Sequence, residues 1–151
     1  ILNHTNRHLY EKSQSNRFVT LFLFTIDGTG NGTYISAGHN PAYLLRSSSG
    51  EIEELRSKAP ILGAFDFATY ETVPFELQLG DLLVIYSDGV TEAMDPEGNM
   101  FGEERLIRVV REFGSSGGEV LEERILESLE DFTRGMAQTD DVTLLVIERI
   151  A

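Results

Sequence analysis

The chain has no cysteine and no tryptophan, and only three histidines and three methionines. Without cysteine there is no disulfide framework, no thiolate metal site and no cysteine nucleophile. Any metal must therefore bind through oxygen or imidazole. Positive charge is also scarce: 12 Lys and Arg stand against 25 Asp and Glu, a formal net charge of −13. A field of that sign repels polyanions, which argues against a nucleic-acid binder or a ligand for anionic membranes. No apolar run approaches the ~18 residues of a membrane span, the longest being the short stretches Leu82 to Tyr86 and Leu144 to Ile147. The start, Ile1 to Tyr10, has neither a basic region followed by an apolar one nor a small-residue cleavage site, and reads as an amphipathic helix entered midway. The expectation is a piece of a longer, cytoplasmic protein. What is present is ordinary for a globular domain: 151 residues, 41% hydrophobic and 25% charged, enough for one domain with a substantial core.

Patterning supplies the element order. Phe18 to Ile26 is β-branched and aromatic, and Asp27 to Gly32 joins it as a hairpin turn to a strand at Thr33 to Ser36. A second hairpin runs from Tyr43 to Arg46, through Ser47 to Gly50, into Glu51 to Leu55. Tyr70 to Leu77 reads as a strand that Pro74 pushes toward a sheet edge, and Leu82 to Tyr86 as a buried strand. Two helices follow. Glu103 to Phe113 places Leu106, Val110 and Phe113 at helical spacing, and Glu119 to Met136 carries a stripe of Leu121, Ile125, Leu129, Phe132 and Met136. The acidic residues Glu119, Glu122, Glu123, Glu127, Glu130 and Asp131 form its solvated face, or a partner contact. Val142 to Ile147 closes the chain as a strand. Helix, many strands, two helices and a strand is an α+β order with a mainly antiparallel sheet.

Chemistry concentrates at two strand ends. Asp88-Gly89 follows Leu82 to Tyr86, and Asp140-Asp141 precedes Val142 to Ile147. If the two strands are antiparallel neighbours, these carboxylates meet at one edge, the arrangement a hard divalent cation requires. Spacing alone leaves open the plainer reading of a turn and a polar strand start. His4 and His8, one helical turn apart, lack a third ligand and read as exposed. Gly28, Gly30 and Gly32 lie between strands with no helix N-terminus after them, so they are turn glycines and not a nucleotide loop. Asp95 to Asn99 fails as a calcium loop because Met100 and Leu106 occupy the positions for the turn glycine and the bidentate glutamate. Glu92 reads as a solvent-facing helix residue.

Taken in order, FVTLFLF, SAGHNP, PILG, LGDLLVIYSDGVTEA, FGEERL and TDDVTLLVI extend from Phe18 to Ile147. Together they resemble the metal-dependent PPM-type (protein phosphatase 2C-like) serine/threonine phosphatases of the stage II sporulation protein E class. The resemblance implies an α-β-β-α sandwich of two mainly antiparallel sheets flanked by helices, with residues 1–151 forming one phosphatase domain. It also implies two Mn²⁺ or Mg²⁺ ions that activate a water for in-line attack on a phosphoserine or phosphothreonine. Carried over, Asp88 of SDG and Asp140 of DDVT match metal ligands, and Asp141, where relatives often have Asn, takes a supporting role. His39 of GHNP stands where other branches tend to have Asp, which removes a further metal ligand and leaves a structural turn. The implied partners are a phosphorylated regulatory protein, such as an anti-sigma-factor antagonist, and an upstream sensor or receiver module.

Family members also carry an earlier segment with a bridging Asp, and no such motif precedes Asn3. The domain is therefore expected to be N-terminally truncated, with one weak cation at Asp88 and Asp140. A non-catalytic binding module is the competing class. The expectation for these 151 residues is little Mn²⁺-dependent phosphatase activity, restored in an N-terminally extended chain. Hydrolysis of a small phosphate ester by the two chains checks it, and robust turnover by the short one would contradict it.

Overall fold

The computed structural model describes residues 1–13, 17–56 and 58–151. Chain contacts group them into two compact units, one of Ile1–Pro41 with Leu55–Glu76, the other of Ala42–Glu54 with Leu77–Ala151.

The first unit holds helix α1 (Leu2–Lys12) and strands β1 (Leu21–Ile26), β2 (Asn31–Ala37) and β5 (Val73–Glu76), an antiparallel sheet in the order β1-β2-β5. The β1–β2 hairpin pairs Phe22 with Ser36 and Ile26 with Gly32. Its turn is closed by Asp27, whose Oδ1 accepts the N–H groups of Thr29 at 2.8 Å and Asn31 at 3.1 Å, while Gly30 takes φ 86°. That left-handed geometry is the reason for glycine there. Pro74 lies on the edge strand β5, where a missing N–H is tolerated. Ile35, Ala37, Leu62, Ala68 and Tyr70 form a small core, against which Leu2 and Leu9 of α1 pack. Within it Asn6 is buried and bonded at both ends of its amide: its NH2 donates to the Phe65 carbonyl at 2.8 Å and its Oδ1 accepts from the Gly63 N–H and the Tyr70 hydroxyl. Burial raises the Tyr70 pKa above its ordinary value, so the phenol stays a donor to Asn6.

The second unit holds β3 (Ala42–Leu45), β4 (Ile52–Leu55, its last residue grouped with the first unit), β6 (Leu82–Tyr86) and β7 (Leu144–Glu148), in the order β4-β3-β6-β7. Helices α3 (Gly102–Phe113) and α4 (Gly118–Thr133) supply its helical layer, and the short α2 (Asp88–Thr91) follows β6. Leu82, Val84 and Tyr86, alternating along β6, share one core with Leu106, Val110, Leu121 and Ile125. This is the alternation a sheet needs to cover itself with amphipathic helices. The rings of Tyr43 and Tyr86 stack at 5.6 Å, with their hydroxyls 3.2 Å apart. Glu148, the last residue of β7, accepts the Gly118 N–H at 2.7 Å and so caps α4 from the sheet.

Several element boundaries depart from the pattern: β5 begins at Val73 and not Tyr70, and β2 already at Asn31 and not Thr33. The strand at Phe18 begins only at Leu21, with Phe18 and Val19 exposed and Val19 making an isolated bridge to Leu62. Helix α4 ends at Thr133 and not Met136, because Arg134 adopts the left-handed conformation and Gly135 follows with φ 75°. The last strand starts at Leu144, two residues later than Val142.

Asp81, just before β6, is fully buried. Its carboxylate accepts the Arg46 guanidinium at 2.8 Å and the N–H groups of Ser47 at 2.9 Å and Gln78 at 3.0 Å. Burial alone would raise its pKa, but the bonds from Ser47, Arg46 and Gln78 outweigh burial and hold it below the usual Asp value. Stability from this group is complete above the unfolded carboxyl pKa of about 3.9 and is lost as pH falls through the lower folded value. Asp81→Ala is expected to cost about 3 kcal/mol at neutral pH by stranding a guanidinium and two N–H groups. Urea unfolding at pH 7 and pH 3 checks both points, the gap between wild type and variant narrowing in acid.

Candidate functional site

β6 and β7 are antiparallel neighbours, in a register that pairs Leu82 with Glu148 and Tyr86 with Leu144. The C-terminal end of one strand therefore lies beside the start of the other. The Asp88 loop and the Asp140–Asp141 loop occupy the same end of the sheet.

Ser87 extends the ladder beyond its last strand pair. Its N–H donates to the Thr143 carbonyl at 3.0 Å, its Oγ accepts the Thr143 N–H at 2.9 Å, and its hydroxyl donates to the Asp141 carbonyl at 2.9 Å. Here a side chain replaces backbone pairing, which is why β7 begins late. Gly89 completes the contact: a Cβ there would run into the Asp141 carbonyl oxygen and lie 2.9 Å from its carbon. Only glycine lets the two backbones approach this closely.

The three carboxylates are exposed. Asp88 Oδ1 accepts the Gly89 N–H at 3.0 Å, and Asp140 Oδ1 accepts the Asp141 N–H at 2.7 Å. The Gln138 amide donates to the Asp140 carbonyl at 2.6 Å, bracing that loop. The carboxylate of Asp141 has no hydrogen bond to other described residues. All the donors are hard oxygens. They fit Mg²⁺ or Mn²⁺ as a partial shell, since Mg²⁺ is commonly held by one or two carboxylates and keeps several waters. Among the described residues no group of three or more His, Asp or Glu side chains is placed to hold one ion. A second ion would need carboxylates beyond those assembled here.

The other candidates lie elsewhere. His4 and His8 are exposed on α1. His39 sits in the turn after β2, its carbonyl accepting the Ser36 hydroxyl at 3.2 Å and its ring 6.4 Å from that of Phe22. Glu92 is exposed at the end of α2, where its N–H bonds the Asp88 carbonyl at 2.7 Å. Asp95 is buried, and both its oxygens accept from Asn99, at 2.8 Å from the backbone and 2.9 Å from the amide. The Asn99 amide and backbone bonds lower its pKa, and the carboxylate serves to close its loop.

The sequence alone assigned no task to Ser87. The only signal was its place between a buried strand and Asp-Gly, and its partners are more than fifty residues away in the chain. Ser87→Ala is expected to lower stability by about 1–2 kcal/mol by removing a donor and an acceptor. Gly89→Ala is expected to cost about 2 kcal/mol through the backbone clash. Urea melts of both variants measure this, and an unchanged midpoint for Gly89→Ala would contradict the close approach.

Comparison with known proteins gives this site a context. Protein IcfG of Synechocystis sp. is 35% identical across 87% of this chain. Phosphoserine phosphatase RsbU of Bacillus subtilis is 28% identical across 99% of it. The chain spans 21% and 44% of the length of these two relatives, less than half of each. Among solved structures, the SiaA-PP2C domain of Pseudomonas aeruginosa superposes with a TM-score of 0.79 and 20% identity, covering 97% of this chain and 58% of that one. The two antiparallel sheets and their helices are thus those of a PP2C-type phosphatase fold. The profile of the stage II sporulation protein E (SpoIIE) family matches residues 1–150, and the chain belongs to that family.

Proposed function

We propose that these residues form one phosphatase domain that removes phosphate from phosphoserine or phosphothreonine in a regulatory protein. The observation that supports this reading is the main-chain contact between the Asp88 and Asp140–Asp141 loops, made by Ser87 and Gly89 at one sheet end. Membership of the SpoIIE family and likeness to phosphoserine phosphatase RsbU supply the reaction class.

In this reading Asp88 and Asp140 hold a Mn²⁺ or Mg²⁺ ion, and Asp141 adds charge beside them. When bound, the metal centre of such enzymes supplies an activated water and neutralises charge on the phosphoryl oxygens. The chain's own residues do the positioning. Ser87 and Gly89 set the spacing of the two loops, the Gly89 and Asp141 N–H groups orient the carboxylates of Asp88 and Asp140, and the β6–β7 ladder keeps both on a rigid edge. No side chain needs to act as nucleophile: there is no cysteine, and the Ser87 hydroxyl is committed to Asp141 and Thr143. An anionic substrate approaching a chain of net charge −13 needs cations at this edge to invert the local field.

The proposed partner is a phosphorylated regulatory protein such as an anti-sigma-factor antagonist, with an upstream sensor or receiver module in the whole protein controlling access. Among the described residues no helix is long and apolar enough to cross a membrane.

The test is calorimetric titration with Mn²⁺. Asp88→Asn and Asp140→Asn are each expected to weaken binding roughly tenfold or more, with Asp141→Asn weakening it less. Release of phosphate from a phosphoserine peptide by the N-terminally extended chain should fall in the same order. Unchanged Mn²⁺ affinity in the first two variants would remove both residues from the metal site.

A further inference from the structure

The second unit contains a cavity of about 480 Å³ between the loop Ala93–Gly98, the last turns of α4 and the segment from Gly135 to Val142. Its wall includes Gly89 and Val142, so it opens beside the loops that carry Asp88 and Asp140–Asp141. The volume is in the range of sites that seat a ligand.

The lining is apolar and open. Met94, Leu126 and Met136 are 40%, 42% and 51% exposed. Three large apolar side chains left to water around one concavity mark a contact surface rather than scattered exposure. Two are methionines, whose flexible thioethers adapt to different shapes. The charge is one-sided. Asp95 and Glu130 are the charged residues of the lining, which contains no Lys or Arg, and Arg134, next in the chain to Thr133 and Gly135 of the lining, is paired with Glu97 at 3.0 Å. Such a groove favours an apolar side chain with Lys or Arg next to it and disfavours an acidic neighbour.

We propose that this groove seats an apolar side chain of the phosphoprotein segment next to the phosphorylated serine or threonine, with basic residues flanking it. The inference rests on the phosphatase reading above, because continuity with the Asp88 and Asp140 edge selects a phosphorylated segment as occupant. The groove then contributes substrate selection: the aspartate edge takes the phosphate, common to every phosphoprotein, and the cavity takes a side chain only some of them offer.

The experiment measures binding of fluorescent phosphoserine peptides to the N-terminally extended chain, the form expected to be active, with Mn²⁺ present. Leucine is placed in turn at each position flanking the phosphoserine among lysines, against an alanine control. At one placement the leucine peptide is expected to bind about tenfold more tightly than alanine. Leu126→Asp and Met136→Asp, both at exposed positions, should each erase that preference while hydrolysis of para-nitrophenyl phosphate stays at the wild-type rate. Circular dichroism verifies their fold. Equal binding of leucine and alanine peptides at every placement would overturn the proposal, as would a preference that survives both variants. Parallel loss of small-ester hydrolysis in these variants would also overturn it, by placing their effect at the aspartate edge. A leucine preference in an N-terminally extended chain that hydrolyses nothing at any Mn²⁺ concentration would uphold the groove and remove the phosphatase reading instead.

Discussion

The antiparallel pairing of β6 with β7 sets the position of nearly every feature of the second unit. Its register puts Glu148 at one end, where the carboxylate caps α4, and Ser87 at the other, where it ties the two aspartate loops together. A slip of one residue would turn Leu82, Val84 and Tyr86 away from the helices. The same slip would take Glu148 from the Gly118 N–H and Asp141 from Ser87. One ladder therefore couples core packing, helix capping and the geometry of the candidate site. This explains why a rigid, apolar strand pair carries residues whose work lies at its very end.

The aspartates divide by what surrounds them. Asp27, Asp81 and Asp95 are engaged by nearby donors: two N–H groups and a hydroxyl for the first, a guanidinium and two N–H groups for the second, the backbone and amide of Asn99 for the third. They close turns. Asp88 and Asp140, both exposed, each take one N–H from the next residue, and the exposed Asp141 carboxylate takes none among the described residues. Exposed, under-satisfied carboxylates gathered at one edge of an acidic protein raise its self-repulsion, which a bound cation relieves. The charged residues lining the apolar groove beside them, Asp95 and Glu130, are also acidic.

Most of the element order was legible because it rests on local periodicity. The strand Leu82 to Tyr86 occupies the residues its apolar run marks, and Gly28 and Gly30 lie in the turn between β1 and β2, whereas Gly32, read as a turn glycine, belongs to β2 and pairs with Ile26. The ends were less legible. The four-residue steps of α4 continue through Met136, yet the helix stops when Arg134 and Gly135 turn left-handed, and a hydrophobic pattern carries no record of backbone handedness. Similarly, Val142 looks like strand, but on either side of it the Ser87 side chain takes the Thr143 N–H and the Asp141 carbonyl, and β7 begins only at Leu144.

At the site the division is the same. Residue type and position along the chain were enough to mark Asp88, Asp140 and Asp141 as hard oxygen donors at strand ends, because strand propensity and carboxylate chemistry are local properties. The sequence could also exclude thiol chemistry outright. It could not determine that the two strand ends share an edge, that Ser87 bridges them, or that Gly89 is required by the Asp141 carbonyl. Nor could it reveal that Met94, Leu126 and Met136 surround one cavity. Those facts depend on contacts between residues tens of positions apart, and only the folded chain, by settling strand register and helix ends together, decides which of them meet.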